Sequence, residues 1–218
     1  PMIQHVYDRV LQCNLISKAI IATDDDRIKD AAEKFGAPVM MTSTTHQSGS
    51  DRCAEVVKSL SDKYDIVINV QGDEPFINQE QLLSLIRCFE NPEINIATLA
   101  KKIQTEEELF NPNVVKVVLS GFKEALYFSR AAIPFNRNFP TNKWLEHQTY
   151  YKHIGIYAFR PQFLLKVTRL KHSSLELSES LEQLRWLENG FRIMAEITDK
   201  ENFSIDTPQD LEKLLSTL

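Results

Sequence analysis

Several features that would mark an exported, membrane-embedded or nucleic-acid-binding protein are missing from this sequence of 218 residues. No apolar run approaches the roughly 20 residues that a membrane-spanning helix needs. The first residues, PMIQHVYDRV, contain neither an apolar signal core nor a basic leader. The net charge of −5 gives no indication of a nucleic-acid partner. We therefore expect a cytoplasmic protein that binds neither a membrane nor a nucleic acid.

Cysteine and glycine are also scarce. The three cysteines, Cys13, Cys53 and Cys88, are odd in number and widely spaced, which favours free thiols in a reducing compartment. The six glycines form neither a phosphate-binding fingerprint nor a Gly-x-Ser-x-Gly elbow, and no Cys/His spacing fits a metal site. The common signatures of dinucleotide, hydrolase and zinc chemistry are therefore absent.

What remains is a composition typical of a globular protein, with 43% hydrophobic and 25% charged residues, in a length that suits one domain. Up to residue 100, short apolar runs alternate with helical patterns. The runs KAIIAT, PVMMT, DIVINV and INIATLA predict strands, and DRIKDAAEKFG, RCAEVVKSL and residues 78–89 predict helices. Because such alternation favours crossover connections, the sequence predicts an α/β domain whose mostly parallel sheet is flanked by helices.

The pattern loosens after residue 100. VVKVVLS and EALYFSR predict a hairpin, and YKHIGIYAFR and RIMAEI predict further strands. The segment IPFNRNFPTNKWLEHQTY has no period, so we expect a long loop there, and long loops in compact domains are often functional. Two helices are predicted over residues 161–170 and 175–189, and a last one over DTPQDLEKLLSTL.

The stretch IVINVQGDEPFI begins as a buried strand and ends in two carboxylates. Ligands of open parallel sheets bind beyond the carboxyl ends of the strands, so Asp73 and Glu74 could hold Mg²⁺ through oxygen. Gly-Asp and Glu-Pro are also common in turns, and on this loop alone the turn interpretation is slightly favoured. Asp206, in DTPQD, is either a helix cap or a second carboxylate of the same site.

A second polar loop, THQSGSDR, leads into a helix, so its N–H groups could bind a base or a phosphate, although a simple capped loop fits as well. Four basic side chains lie in or near the loops: Arg52, Arg130, Arg137 and Lys143. Arginine suits carboxylate and phosphate contacts, yet each of these four side chains is also typical of a solvated surface group. His153, inside a strand, is either structural or a partner of substrate hydroxyls.

Seven motifs together resemble one family: HQSGSDR, NVQGDEP, FNPNVVKVV, ALYFSRAAIP, HIGIYAFR, LEQLR and DTPQDLE. Their order and spacing resemble the 3-deoxy-manno-octulosonate (Kdo) cytidylyltransferases nearly from end to end. The resemblance implies a single Rossmann-like nucleotide-diphospho-sugar transferase domain over residues 1–218. A smaller α/β lobe, approximately residues 122–190, would bind the sugar and form a homodimer.

The resemblance also implies a reaction and a set of site residues. The enzyme would join CTP and Kdo into CMP-Kdo and pyrophosphate, for lipopolysaccharide biosynthesis. Its Mg²⁺ ligands and catalytic carboxylates would be Asp73 and Asp206. The Kdo-facing residues would be Gln71, Arg130, Arg137, His153, Tyr157, Glu182 and Gln183. The residues around the cytidine would be Ser48, Gly49 and Arg52.

The family pattern begins with a strand and a basic loop of the form IPARxxSxRxPGKP, whereas this sequence begins at PMIQHV. We therefore expect either a piece of a longer chain or a truncated protein, inactive as it stands, with an open position in the sheet beside INVQG. Two alternatives remain: a synthetase for CMP-sialic acid or another nucleotide sugar, and a non-catalytic nucleotide-sugar-binding protein.

Overall fold

A computed structural model describes residues 1–201 and shows helices and strands that alternate, which confirms the α/β class. The strands are β1 Ile21–Thr23, β2 Val39–Met41, β3 Val67–Asn69, β4 Ile96–Lys102, β5 Lys116–Leu119, β6 Ala125–Ser129, β7 Tyr151–Phe159 and β8 Met194–Thr198. The helices are α1 Met2–Leu11, α2 Asp26–Lys34, α3 Gly49–Ser59, α4 Gln79–Cys88, α5 Glu106–Phe110, α6 Trp144–His147, α7 Pro161–Val167, α8 Ser174–Glu179 and α9 Glu182–Glu188.

These elements group into two compact units. Among the described residues, the first unit consists of Pro1–Tyr64, Asn69–Ser84 and residues 200–201. The second unit consists of Asp65–Ile68 and Leu85–Asp199. The lobe expected over residues 122–190 lies wholly within the second unit, and its roles in sugar binding and dimerisation stay predictions.

The first unit is built around the parallel pair β1 and β2, in which Ile21 is the register partner of Val39. Helix α2 begins where predicted, because the side chain of Asp25 accepts a hydrogen bond from the Arg27 N–H. Hydrogen bonding to Arg27 lowers the pKa of Asp25 to about 2. A small apolar core of Ile21, Ala32 and Ala37 lies beneath these elements.

The second unit contains a six-stranded sheet in the order β6-β5-β7-β4-β8, with β3 paired to β7. The prediction of a mostly parallel sheet is wrong here, because β4 pairs in parallel with β8 but antiparallel with β7. β5 also pairs antiparallel with both β6 and β7. A buried apolar run has the same appearance in either direction, so sequence alone did not reveal that β7 runs against its neighbours.

No described ladder joins β1 or β2 to β3. The open position expected beside INVQG therefore stays a prediction.

Other differences concern helices. The helix predicted over residues 175–189 is two helices, α8 and α9, because Ser180 ends α8 in the left-handed conformation with φ of 52°. Helix α5 was not predicted, and the expected loop between β6 and β7 contains the short helix α6. None of the described helices is both long and apolar enough to cross a membrane.

The core of the second unit includes β4 and β7, in which residues 96–100 and 156–159 are buried. Trp186 of α9 packs edge-on against the rings of Tyr157 and Phe159, with centroids 4.9 and 5.4 Å away. Helix α9 is thus fixed on the sheet by aromatic contacts. The three cysteines form no disulfide within residues 1–201, as predicted, and burial raises the pKa of the Cys88 thiol to about 11.

Candidate active site

The QGDEP loop follows β3 in the first unit and forms tight turns. The N–H of Glu74 donates to the carbonyl of Gln71 at 3.3 Å, and the N–H of Ile77 donates to the carbonyl of Glu74 at 3.3 Å. Asp73 is partly exposed, whereas Glu74 is only 8% exposed. Both carboxylates make contacts within the protein. The loop therefore buries Glu74 and leaves Asp73 partly open to solvent.

The loop before α3 places Ser48 and Gly49 at the start of that helix. Ser48 is the N-cap, and its hydroxyl oxygen accepts the Asp51 N–H at 3.1 Å. A Cβ at Gly49 would lie 2.9 Å from Nδ2 of Asn69 and 3.3 Å from Nε2 of Gln71. Glycine therefore allows this close approach, whereas a Cβ would require the Asn69 and Gln71 side chains to shift. This contact brings two predicted site residues together, Gly49 and Gln71.

Arg52 lies one turn further along α3 and contacts the residues that follow β1 and β2. Its Nη2 atom is 3.1 Å from Oδ2 of Asp24, and its Nη1 atom donates to the hydroxyl of Thr42. Thr42 in turn donates to the carbonyl of Thr23 at 3.2 Å. The guanidinium therefore links α3 to the carboxyl ends of β1 and β2, and Asp24 compensates its charge.

Glu55 is a residue of this region that sequence reasoning missed. Its Oε2 atom accepts the Ser43 N–H at 3.0 Å and also contacts Nε2 of His46. The Ser43 hydrogen bond, and then the His46 contact, lower the pKa of Glu55. Helical spacing could have revealed it, because Glu55 lies three residues after Arg52 on the same side of α3.

Arg130, in the second unit, follows directly after β6. Its Nε atom donates to the carbonyl of Glu179 at 2.8 Å. Its Nη1 atom donates to the carbonyl of Pro112 at 3.2 Å, and Nη2 is 3.5 Å from the carbonyl of Ser180. Within residues 1–201 these acceptors are neutral backbone carbonyls, unlike the carboxylate that faces Arg52.

His153 is held in one tautomer by the buried Thr98. The Thr98 hydroxyl lies 2.8 Å from the carbonyl of Ile156 and 2.9 Å from Nε2 of His153. Because a carbonyl cannot donate, the hydroxyl proton points to Ile156 and Nε2 carries the proton that it donates to Thr98. Burial lowers the pKa of His153 to about 3. The ring is therefore neutral near pH 7, and Nδ1 is its acceptor atom.

Tyr157 lies beside His153, with ring centroids 5.2 Å apart. Its hydroxyl is buried and has no hydrogen-bond partner among residues 1–201. Burial, followed by the nearby Glu182 carboxylate, raises the pKa of Tyr157 well above 10. A buried donor without a partner costs stability, which is typical of a place that a ligand completes.

The α9 residues of the predicted site lie next to this tyrosine. Oε1 of Glu182 accepts Nη2 of Arg185 at 2.9 Å. Gln183 is only 4% exposed, although glutamine is mostly exposed in proteins. The second unit thus brings His153, Tyr157 and Glu182 together.

The remaining predicted residues are Arg137 and Asp206. Arg137 is exposed in the loop before α6, which the Trp144 indole N–H anchors by donating to the Phe139 carbonyl at 3.0 Å. Asp206 lies outside the described residues. Within residues 1–201, no three His, Cys, Asp or Glu side chains are placed to hold a metal ion.

Comparison with known proteins gives the family. The model of the family described as cytidylyltransferase matches residues 1–197. The chain belongs to the cytidylyltransferase family. A 3-deoxy-manno-octulosonate cytidylyltransferase from Parabacteroides distasonis is 49% identical over 222 residues, covering 100% of this chain and 88% of that protein. The family resemblance seen in the seven motifs is confirmed.

Solved structures give the same result for the fold. The CMP:2-keto-3-deoxy-manno-octonic acid synthetase complexed with CTP is 40% identical, with a TM-score of 0.91 over 100% of this chain and 87% of that one. The 4-diphosphocytidyl-2C-methyl-D-erythritol synthase from Anaerococcus prevotii is 16% identical, with a TM-score of 0.62 over 99% and 88% of the two chains, and shows the fold alone.

Proposed function

We propose that this protein transfers the cytidylyl group of CTP to Kdo and releases pyrophosphate. The observation that carries the proposal is the match, over the whole chain, to a CMP-Kdo synthetase structure with CTP at 40% identity. The contacts of the predicted site residues are compatible with it. Arg130 offers donors to an acid, and the neutral His153 offers an acceptor to a hydroxyl.

The chemistry asks for positioning rather than covalent catalysis. The anomeric oxygen of Kdo forms a bond to the α-phosphorus of CTP, the bond to the bridging oxygen breaks, and pyrophosphate leaves while the hydroxyl proton passes to solvent. Alignment of the two substrates and neutralisation of phosphate charge supply most of the rate in such transfers.

Mg²⁺ is part of the proposal through the donor chemistry of the QGDEP loop. Asp73 offers a carboxylate oxygen, partly exposed after β3, which suits this hard cation. Asp206 would supply the second carboxylate. Bound there, the ion would neutralise phosphate charge and act as a Lewis acid.

On the sugar side, Kdo brings one carboxylate and many hydroxyls. Arg130 and Arg137 would pair with the carboxylate, and Nδ1 of His153 would accept a hydrogen bond from a sugar hydroxyl. The Tyr157 hydroxyl would gain the partner that it lacks among the described residues. Gln71, Glu182 and Gln183 would bind the remaining hydroxyls.

On the nucleotide side, Ser48 and Gly49 would place the N–H groups at the start of α3 near the cytidine. Arg52 would lie beside the cytidine as well, and its ion pair with Asp24 supports a role in holding this loop in place. A homodimer, a cytoplasmic location and a role in lipopolysaccharide synthesis complete the proposal, and they rest on the family alone.

The test is pyrophosphate release by the full-length natural protein with CTP, Mg²⁺ and a panel of sugar acids. We expect release with Kdo and a product with the mass of CMP-Kdo. Release with sialic acid but not with Kdo would overturn the assignment of the sugar. Binding of CTP without any release would instead indicate a non-catalytic nucleotide-binding protein.

A further inference from the structure

Arg130 is oriented by the main chain at the end of α8. Nε donates to the Glu179 carbonyl at 2.8 Å, and Nη2 is 3.5 Å from the Ser180 carbonyl. On its other side, Nη1 donates to the Pro112 carbonyl at 3.2 Å. Three of the five guanidinium N–H groups are thereby directed at carbonyls. The two that remain suit the parallel contacts that a carboxylate accepts.

The carboxylate of Glu179 binds Ser129 and the backbone of Arg130. Its Oε1 atom accepts the Ser129 hydroxyl at 2.6 Å, and its Oε2 atom accepts the Arg130 N–H at 2.9 Å. One residue therefore holds the backbone of Arg130 with its carboxylate and the guanidinium with its carbonyl.

The left-handed Ser180 completes the arrangement. A non-glycine residue with φ of 52° is strained, and such strain concentrates at sites where geometry is used. Here it ends α8 so that the carbonyls of both Glu179 and Ser180 lie within 3.5 Å of the guanidinium. Neither glycine nor proline marks the break in the sequence LSESLEQLR.

We propose that Glu179 is a positioning residue that holds Arg130 ready for the carboxylate of the sugar acid. This inference rests on the proposed function, which gives Arg130 its ligand. Glu179 contacts no substrate, and it acts only through the orientation of Arg130.

Glu188 offers a matched control. Its carboxylate makes the same two kinds of bond at the other end of α8, accepting the Ser174 hydroxyl at 2.9 Å and the Leu175 N–H at 3.1 Å. Loss of these two hydrogen bonds would loosen the start of α8 without removing any contact of Arg130. A merely structural role for Glu179 predicts the same kinetic consequences for Glu179→Ala and Glu188→Ala.

The experiment measures KM for the sugar acid and for CTP in the full-length protein. We expect Glu179→Ala to raise the sugar KM by about tenfold, because contacts to a charged group are misaligned, and to leave the CTP KM unchanged. Glu179→Gln keeps one acceptor oxygen and should recover part of the loss. Glu188→Ala should change neither KM by more than about twofold. Equal sugar KM values in Glu179→Ala and Glu188→Ala, or a parallel rise in both KM values, would overturn the proposal.

A second readout does not depend on turnover. The Nε–H signal of Arg130 in NMR, assigned by its loss in Arg130→Lys, should exchange slowly with solvent in wild type and Glu188→Ala and faster in Glu179→Ala and Glu179→Gln. Unchanged exchange in both Glu179 variants would contradict the positioning role. If wild type releases no pyrophosphate with CTP and Kdo, the proposed function fails, and the exchange rates alone decide whether Glu179 orients Arg130.

Discussion

Two arginines that look alike in the sequence are held in opposite ways in the two units. Arg52 of the first unit faces a carboxylate, Asp24, at 3.1 Å. Among the described residues, the Arg130 guanidinium in the second unit donates to the carbonyls of Pro112, Glu179 and Ser180. An arginine whose charge is already paired stabilises its surroundings, whereas one held by neutral oxygens keeps its charge for an anionic ligand. On this difference rests our proposal that Arg130, rather than Arg52, meets the carboxylate of the sugar.

The largest effect should come from a substitution of Asp73, the carboxylate proposed to bind Mg²⁺ in the first unit. Asp73→Asn keeps the shape of the QGDEP loop but removes the charge that would attract Mg²⁺, so we expect turnover to fall by about 10³-fold with unchanged melting temperature. The measurement is Mg²⁺-dependent pyrophosphate release beside a thermal melt. A near-normal rate would remove Asp73 from the metal site.

The paired substitutions of the two arginines test the comparison itself. Arg130→Ala should lower kcat/KM for the sugar acid by about 100-fold, because a ligand contact is removed, and should also cost some stability through its lost hydrogen bonds to three carbonyls. Arg52→Ala should cost about 1–3 kcal/mol of unfolding free energy, since it leaves Asp24 and Thr42 without their partner. Denaturant melts and steady-state kinetics on both variants separate the two outcomes. A fall of kcat/KM by about 100-fold in Arg52→Ala but not in Arg130→Ala would reverse our assignment of roles.

A smaller effect is expected where α3 meets β3. In Gly49→Ala the new Cβ would lie 2.9 Å from the amide of the buried Asn69, so the side chains around it must shift. We expect a loss of about 1–3 kcal/mol in stability and a higher KM for CTP. Gly121→Ala is the control, because a Cβ there meets nothing within 4 Å. Equal melting temperatures for the two variants would show that the close approach has no cost.

The smallest effect is a dependence of stability on pH in the second unit. The folded pKa of His153 is about 3, below the ordinary 6.5, so the unfolded chain binds more protons between these values. Its contribution to stability is complete above pH 6.5 and declines as the pH falls toward 3, by a few kcal/mol at most. His153→Gln should flatten the decline in denaturant melts, whereas the exposed His5→Gln should not. Identical slopes in the two variants would contradict a buried neutral ring.

Much of this fold could be predicted because its local signals are strong. The runs INIATLA and YKHIGIYAFR predicted β4 and β7, and DRIKDAAEKFG predicted α2 from its first residue. Strand direction could not be predicted, because fully buried parallel and antiparallel strands share one pattern. The end of α8 at Ser180 depends on contacts with Arg130, which lies 50 residues earlier in the chain.

The residues of the candidate site also divide into those that the sequence could predict and those that it could not. Motifs pointed to Asp73, in the QGDEP loop, and to Gly49, at the start of α3, because both lie in short polar stretches between apolar runs. His153 was ambiguous, because only Thr98 and the surrounding burial show that the ring is neutral. Glu55 and Glu179 were missed, since a glutamate in a helix reads as a surface residue until its partners are known.

The most direct test of the divided roles is a comparison of Kdo with its C1 carboxamide in wild type and Arg130→Ala. If Arg130 meets the sugar carboxylate, wild type should prefer Kdo by about 100-fold in kcat/KM, and Arg130→Ala should lose nearly all of that preference. Arg52→Ala, in the same assay, should keep it. An undiminished preference for the acid in Arg130→Ala would contradict the account.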